Sequence, residues 1–271
     1  MSTVIAFEDV WYGYEKETPV LNGVSLTIHR GEFIAIIGGN GSGKTTLAKH
    51  CNGLYKPTKG MVTVAREDTK ARSVAQLSKT VAYCYQNPDH QIFHQTIKAE
   101  VSFGPKNMGL PAAEIEQVVN EALAAVGLSH MGDAEPYFTS KGTRQKIAVA
   151  SILAMRPDVI VLDEPTTGLD YRGMQEMMEL VRRLHESGHT IIVITHDMRL
   201  VAEYAQRVIV MQQGKVVCDG SPAQVFAEPQ ILASAQVEPP AIYRFGKTSG
   251  LADPIPLSYA AMKRMLTGAE D

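Results

Sequence analysis

Two rhythms of apolar residues alternate along this chain. Short, wholly apolar runs at Phe33–Ile37, Val159–Leu162 and Ile191–Ile194 have no polar face, which predicts strands buried on both sides. Between them the apolar positions recur at helical spacing. Ile115, Val118, Val119, Ala122, Leu123 and Val126 predict an amphipathic helix over 114–126, bracketed by Pro111 and Gly127. A second helix is predicted over 143–155, broken before Pro157. A third spans 171–187, with Met174, Met177, Met178, Val181 and Leu184 on one face. Buried strands alternating with helices predict a parallel α/β core. Ahead of it, Val4–Phe7, Val10–Tyr12 and Val24–Ile28 read as antiparallel strands within residues 3–30, the last with period two. Met61–Val64 and Thr80–Tyr85 predict further strands, and 92–155 reads as a mostly helical insertion. Val208–Met211 and Val216–Cys218 are predicted as edge strands that close the domain. Past Ser221 the pattern weakens: Pro229, Pro239, Pro240, Pro254 and Pro256 intervene, and only one good helix, about 257–266, is predicted. This stretch reads as an appendage.

Composition narrows the class without naming it. At 271 residues, with 45% hydrophobic and 20% charged residues, the chain can bury a sizeable core. A net charge of −3 gives no general pull toward nucleic acid, so no nucleic-acid partner is expected. Cys51, Cys84 and Cys218 lie far apart and read as reduced structural thiols. The apolar runs are far shorter than the roughly 20 residues a spanning helix needs, and Met-Ser-Thr-Val is no secretory leader. The expectation is a chain that stays inside the cell and crosses no bilayer by itself.

The chemistry concentrates in Gly38-Gly39-Asn40-Gly41-Ser42-Gly43-Lys44-Thr45-Thr46, a G-x-x-x-x-G-K-S/T phosphate loop between a buried strand and a helix. A triphosphate needs many donors at close range, and glycines at 38, 39, 41 and 43 let backbone N–H groups approach it. Lys44 is expected to reach the β- and γ-phosphates, and the Thr45 hydroxyl to ligate Mg2+. In an open α/β sheet ligands sit at the carboxyl ends of the strands. There the chain places Asp163-Glu164, after Val159–Leu162, and His196, after Thr195. Asp163 is placed to hold Mg2+ through water, Glu164 to polarise the attacking water, and His196 to hold that water and the γ-phosphate. His50, His90 and His94 read as structural or surface residues. Tyr14 is an aromatic that could stack on an adenine, or a strand-end core tyrosine; its residue type and position do not decide between them.

The order of phosphate loop, Gln86 loop, helical insert, Leu162-Asp163-Glu164-Pro165-Thr166-Thr167-Gly168-Leu169-Asp170 and Thr195-His196-Asp197 resembles an ATP-binding-cassette nucleotide-binding domain over residues 3 to about 226. The resemblance implies a P-loop NTPase (RecA-like) α/β core with an antiparallel β subdomain and an inserted helical subdomain. It implies an ATPase domain at 1–228, helical over about 92–155, followed by a small extension at 229–271. ATP and Mg2+ are the implied cofactors, with Glu164, His196, Lys44 and Gln86 in the catalytic set. Tyr14 becomes the adenine-stacking residue, Gln86 the link between Mg2+, water and a transmembrane partner, and Asp170 a dimer contact. In this family two domains sandwich two ATP molecules, each completed by the partner's Leu-Ser-Gly-Gly-Gln loop. The matching residues here are Thr139-Ser140-Lys141-Gly142-Thr143, so Ser140 and Gly142 are retained and carry the implied contacts to the partner's γ-phosphate.

Tyr85-Gln86-Asn87-Pro88-Asp89-His90-Gln91-Ile92-Phe93, with Thr96, Glu100-Val101 and Phe103-Gly104-Pro105, is similar to the ATPases of prokaryotic energy-coupling factor transporters for vitamins or transition-metal ions. That similarity implies an importer at the cytoplasmic face of the membrane. Its implied partners are a transmembrane subunit, a substrate-binding membrane subunit and a second ATPase, identical or related. The 229–271 extension is consistent with a role in pairing. The alternatives are a cassette ATPase without a membrane partner, or the weaker half of a heterodimer.

Overall fold

The computed structural model describes residues 2–15, 18–251 and 255–267. Its strands are β1 (Thr3–Glu15), β2 (Thr18–His29), β3 (Phe33–Ile37), β4 (Lys59–Val64), β5 (Glu67–Asp68), β6 (Val81–Cys84), β7 (Val159–Asp163), β8 (Thr190–Ile194), β9 (Arg207–Gln212) and β10 (Lys215–Gly220). The helices are α1 (Lys44–Cys51), α2 (Val74–Leu77), α3 (Ile97–Asn107), α4 (Ala112–Ala125), α5 (Lys141–Leu153), α6 (Tyr171–Glu186), α7 (Met198–Tyr204), α8 (Pro222–Phe226), α9 (Pro229–Ser234), α10 (Ala241–Thr248) and α11 (Tyr259–Thr267). The strands form two sheets: an antiparallel one in the order β2-β1-β4-β5, and a six-stranded one in the order β10-β9-β3-β8-β7-β6. In the second sheet β9, β3, β8, β7 and β6 run parallel and β10 returns antiparallel along β9.

The parallel strands are apolar on both faces because both are covered. Ile34 and Ile36 of β3 pack with Leu47 of α1 and with the antiparallel sheet. Ala35 and Ile37, one residue out of phase, pack on the other side with Val201 of α7 and with Val225, Phe226, Leu232 and Val237. Burying each such isoleucine contributes about 1.5–3 kcal/mol. A third cluster joins α3, α4, α5 and α6 to β7 and β8. No helix among the described residues is long and apolar enough to cross a membrane.

Besides adding β5, α2 and α7, the structure differs from the elements expected at three places. Val4–Phe7 and Val10–Tyr12 are one strand, kept continuous by a bulge at Asp9 (φ 45°), whose carboxylate accepts the Trp11 indole N–H at 2.9 Å. Of the two strands taken as edges, only β10 is one, since β9 lies between β10 and β3. And α8, α9 and α10 precede α11, where a single helix was expected after Ser221. Prolines 222 and 229 sit at the first turns of α8 and α9, where their missing N–H removes no helical hydrogen bond. Rather than hanging off the domain, these helices cover one face of its sheet.

Candidate nucleotide site

The phosphate loop leaves β3 and enters α1. Gly38 has φ 144°, and a Cβ there would lie 2.2 Å from Met211 O, so the loop's first residue is held against the end of β9. Gly43 (φ 100°) makes the turn into the helix. The Lys44 ammonium folds back to donate to the carbonyls of Gly38 (2.8 Å) and Gly39 (2.9 Å). Burial lowers its pKa from the usual lysine value, while the carboxylates of Glu164 and Asp163 act in the opposite direction. A cleft of about 460 Å³ opens here, bordered by Tyr14, Asn40, Lys44, Thr45, Gln86 and Glu164; Gly41, Gly43 and Thr46 also line it. Tyr14 is 61% exposed, and its hydroxyl shares a hydrogen bond of 2.9 Å with that of Thr46. Its ring stands edge-on to Tyr12 and Tyr55. Gly39 does not line this cleft; its N–H donates to Ala235 O at 2.8 Å. Ser42 is buried, with its carbonyl accepting from Gly214 N–H at 3.0 Å.

Strand β7 delivers two carboxylates to different surroundings. Asp163 is buried and accepts from the Tyr83 hydroxyl at 2.6 Å and from the Thr45 side chain. Burial raises its pKa above the usual carboxylate value, and those two hydrogen bonds oppose the rise. Burial and the Asp163 charge in turn push the Tyr83 hydroxyl well above its ordinary value. Glu164 leaves the strand with φ 47°, a conformation that a residue with a Cβ rarely adopts, anchored by its N–H to Ile194 O at 2.9 Å. One oxygen, Glu164 Oε2, gathers Gln86 Nε2 (3.2 Å), Thr167 Oγ1 (2.7 Å) and His196 Nδ1 (3.2 Å). Lys44, Thr45, Gln86, Asp163, Glu164 and His196 thus converge as the sequence suggested. Tyr83 and Thr167 had no place in that reading. Tyr83 is legible only through the β6–β7 register, in which it pairs with Val161, two residues before Asp163.

The remaining predicted residues lie elsewhere. Ser140 caps α5, its hydroxyl accepting from Thr143 N–H at 3.1 Å, and Asp170 caps α6 by accepting from Gly173 N–H at 2.7 Å. With Gly142 they border a separate cleft of about 350 Å³. Lys141 lies over Gly168, where a Cβ would be 2.4 Å from its ammonium.

The donor set suits Mg2+. Thr45 and Asp163 offer hard oxygens, and no group of three or more His, Cys, Asp or Glu side chains among the described residues forms a metal cage. Mg2+ commonly binds through one or two protein oxygens together with phosphates and water.

A family model described as ABC transporter matches residues 21–167. A putative ABC transporter ATP-binding protein of Caldanaerobacter subterraneus subsp. tengcongensis is 52% identical over 249 residues, 90% of this chain and 44% of that protein. The energy-coupling factor transporter ATP-binding protein EcfA of Methanocaldococcus jannaschii is 40% identical over 258 residues, 94% of this chain and 92% of that protein. The chain spans less than half the length of some curated relatives it matches, 44% of the Caldanaerobacter protein and 38% of a putative ABC transporter ATP-binding protein of Methanosarcina acetivorans. Among solved structures, cbiO1 from Clostridium perfringens, part of the ABC transporter complex cbiONQ, superposes with a TM-score of 0.79 at 35% identity, covering 93% of this chain and all (100%) of that one. A dimeric ATP-binding cassette in a post-hydrolysis state with ADP and Pi has a TM-score of 0.71 at 27% identity, over 80% of this chain and 98% of that one.

Proposed function

The chain belongs to the ABC transporter family, and from that premise we propose that it is the ATP-hydrolysing subunit of an energy-coupling factor importer. The observation that carries the catalytic reading is the convergence of Gln86, Thr167 and His196 on Glu164 Oε2, beside Lys44 and Asp163. Glu164 takes the proton of the attacking water, and His196 and Gln86 hold that water and the carboxylate in line. Lys44 leaves the loop carbonyls for the β- and γ-phosphate oxygens, and Tyr14 stacks on the adenine. Thr45, and Asp163 through water, would hold Mg2+, which would supply charge neutralisation at the phosphates. Ser140 and Gly142, which border a cleft separate from the phosphate loop's, serve the site of a second ATPase, with Asp170 at the contact. ATP binding closes this head-to-tail dimer and hydrolysis resets it.

The membrane partner is assigned to a groove of about 460 Å³ beyond the Gln86 loop, bordered by Tyr85, Gln91, Phe93, Glu100, Phe103 and Met155. Phe93 (59% exposed) and Phe103 (41% exposed) meet edge to face at 4.8 Å on its rim, an apolar pair at the surface. Glu100 fixes this rim by accepting from Phe93 N–H, His94 N–H and the His94 ring, each at 3.0 Å. We assign residues 1–228 to the ATPase domain, with its helical subdomain over about 92–155, and 229–271 to an extension that serves pairing. With a transmembrane and a substrate-binding subunit as its partners, the assembly belongs at the cytoplasmic face of a prokaryotic membrane; the transporter names of the relatives EcfA and cbiO1 support this reading.

A second reading, the weaker half of a heterodimer, is favoured by one observation: Lys141 stands where the family has glycine and lies over Gly168. ATP turnover and mass in ATP of the purified chain decide between them. A homodimeric motor hydrolyses ATP and doubles its mass. Binding without either outcome favours a non-identical partner, and failure to bind ATP ends both readings. Co-purification with a membrane protein from the native host tests the importer assignment; recovery without one returns the chain to the membrane-free class.

A further inference from the structure

The phosphate loop has a second face, turned to the C-terminal helices. Gly39 has no positive φ and does not line the nucleotide cleft, so neither backbone strain nor phosphate approach explains a glycine there. What explains it is the turn after α9. A Cβ on Gly39 would lie 2.5 Å from Gln236 Oε1 and 3.2 Å from Ala235 O, and the Gly39 N–H donates to that same Ala235 carbonyl at 2.8 Å. The turn is held in place independently of the loop. Gln236 N–H bonds to Ala233 O and Val237 N–H to Leu232 O, closing α9 with Gln236 in the left-handed conformation (φ 57°) that glycine usually fills. Gln212, at the end of β9, donates to Ser234 O at 2.7 Å and accepts from the Ser234 hydroxyl at 3.3 Å. Leu232, Ala235 and Val237 are buried with Ala35 and Ile37 of β3, the strand that feeds the loop.

We propose that the Ser234–Gln236 turn is a positioning element of the phosphate loop, which couples nucleotide occupancy to the order of the C-terminal helices. The coupling rests on the reading of residues 38–46 as the nucleotide site. The peptides flanking Gly39 are gripped from two sides: Lys44 holds the carbonyls of Gly38 and Gly39, and Ala235 holds the Gly39 N–H. A nucleotide draws Lys44 to its phosphates and takes away the first grip, so the occupied loop depends on the second. Any element that favours the occupied loop is, by linkage, favoured by the nucleotide to the same extent.

Hydrogen exchange over residues 231–237 of the full chain tests this, with and without ADP, at a concentration where gel filtration shows a monomer. ADP is expected to slow exchange there at least threefold. In Gln236→Pro the proline ring cannot adopt φ near +57°, so the Ala235 carbonyl turns away. This variant is expected to lose the ADP-dependent protection and to bind ADP threefold to tenfold more weakly, as the loss of one net hydrogen bond allows. Gln236→Gly, which suits the left-handed conformation, retains both properties. Should Gln236→Pro fail to fold, Gln212→Ala with Ser234→Ala, which frees the turn from β9, shows the same two losses. ADP binding to the wild type with unchanged exchange at 231–237 overturns the coupling alone, as does a Gln236→Pro chain that behaves like wild type. A wild type that binds no ADP overturns the nucleotide site and the coupling with it.

Discussion

The phosphate-loop side and the Thr139–Thr143 loop are two ends of one proposed reaction, and they are built in opposite ways. On the first side each polar group already has a partner within the chain: Lys44 on its own loop, Asp163 on Tyr83, Glu164 on Thr167, Gln86 and His196. On the second, Ser140 bonds only to the first turn of its own helix, capping α5 and sharing a hydrogen bond with the Thr143 hydroxyl, and a Cβ on Gly142 would meet nothing closer than 3.8 Å. Preorganisation inside the chain marks the half that must hold a charge distribution against water. An open, capped helix start marks a half whose complement comes from another molecule. On the proposed function the same chain carries an accepting half and a donating half, and substitutions should affect them differently.

The largest effect is expected at Glu164. Glu164→Gln keeps the size of the side chain and removes the base, so ATP turnover should fall by about 10²–10⁴-fold. ATP binding persists, and phosphate release together with mass in ATP should show a trapped dimer. Wild-type turnover in this variant would mean that the assembled half is structural.

A pair of substitutions at Ser140 tests the donating half, with a somewhat smaller effect expected. Ser140→Ala removes both the cap and the donor, lowering stability by about 1 kcal/mol. Ser140→Asp restores a good cap and sets a negative charge against the partner's phosphate. Its thermal midpoint should therefore match wild type while turnover falls by about 10²-fold, the scale of a lost oxyanion donor. If Ser140→Asp turns over ATP at the wild-type rate, Ser140 is a cap and nothing more, and the comparison of the two halves collapses.

What the sequence made legible follows the same division. The parallel core could be read from Phe33–Ile37, Val159–Leu162 and Ile191–Ile194 because strands buried on both faces have no polar period. Asp163, Glu164 and His196 follow directly from where such strands end. Tyr83 and Thr167 could not be read, since their roles depend on the β6–β7 register and on the turn after Glu164, neither of which has a period in the sequence. Of the C-terminal helices only α11 was legible, and α8–α10 were missed for a related reason. Five to eight residues long, α8–α10 are shorter than the stretch over which a helical period can be read, and their prolines resemble breakers although two of them start helices. Asp163 also needed less explanation than two adjacent carboxylates suggested, because Tyr83 and Thr45 satisfy it within the chain.

The smallest effect is expected behind the assembled half, at a residue the sequence marked as structural or surface. His50 is buried near the end of α1, its Nδ1 against Thr46 O at 2.7 Å and its ring edge-on to Tyr12 at 4.8 Å. Its Nε2 is buried without a hydrogen-bond partner. Burial, outweighing the hydrogen bond to Thr46, brings its pKa from 6.5 down to about 4. Between those values the unfolded chain binds a proton that the folded chain does not, so the stability from the neutral imidazole is complete above pH 6.5 and is lost as pH falls toward 4. From pH 7 to pH 6 the loss is about 0.7 kcal/mol, readable as a lower urea midpoint. In His50→Phe, which fills the site without titrating, the share of the pH dependence due to this residue should vanish. Because α1 carries Lys44, Thr45 and Thr46 at its start, an equal acid sensitivity in both chains would locate the weak point of the assembled half outside the helix that holds the phosphates.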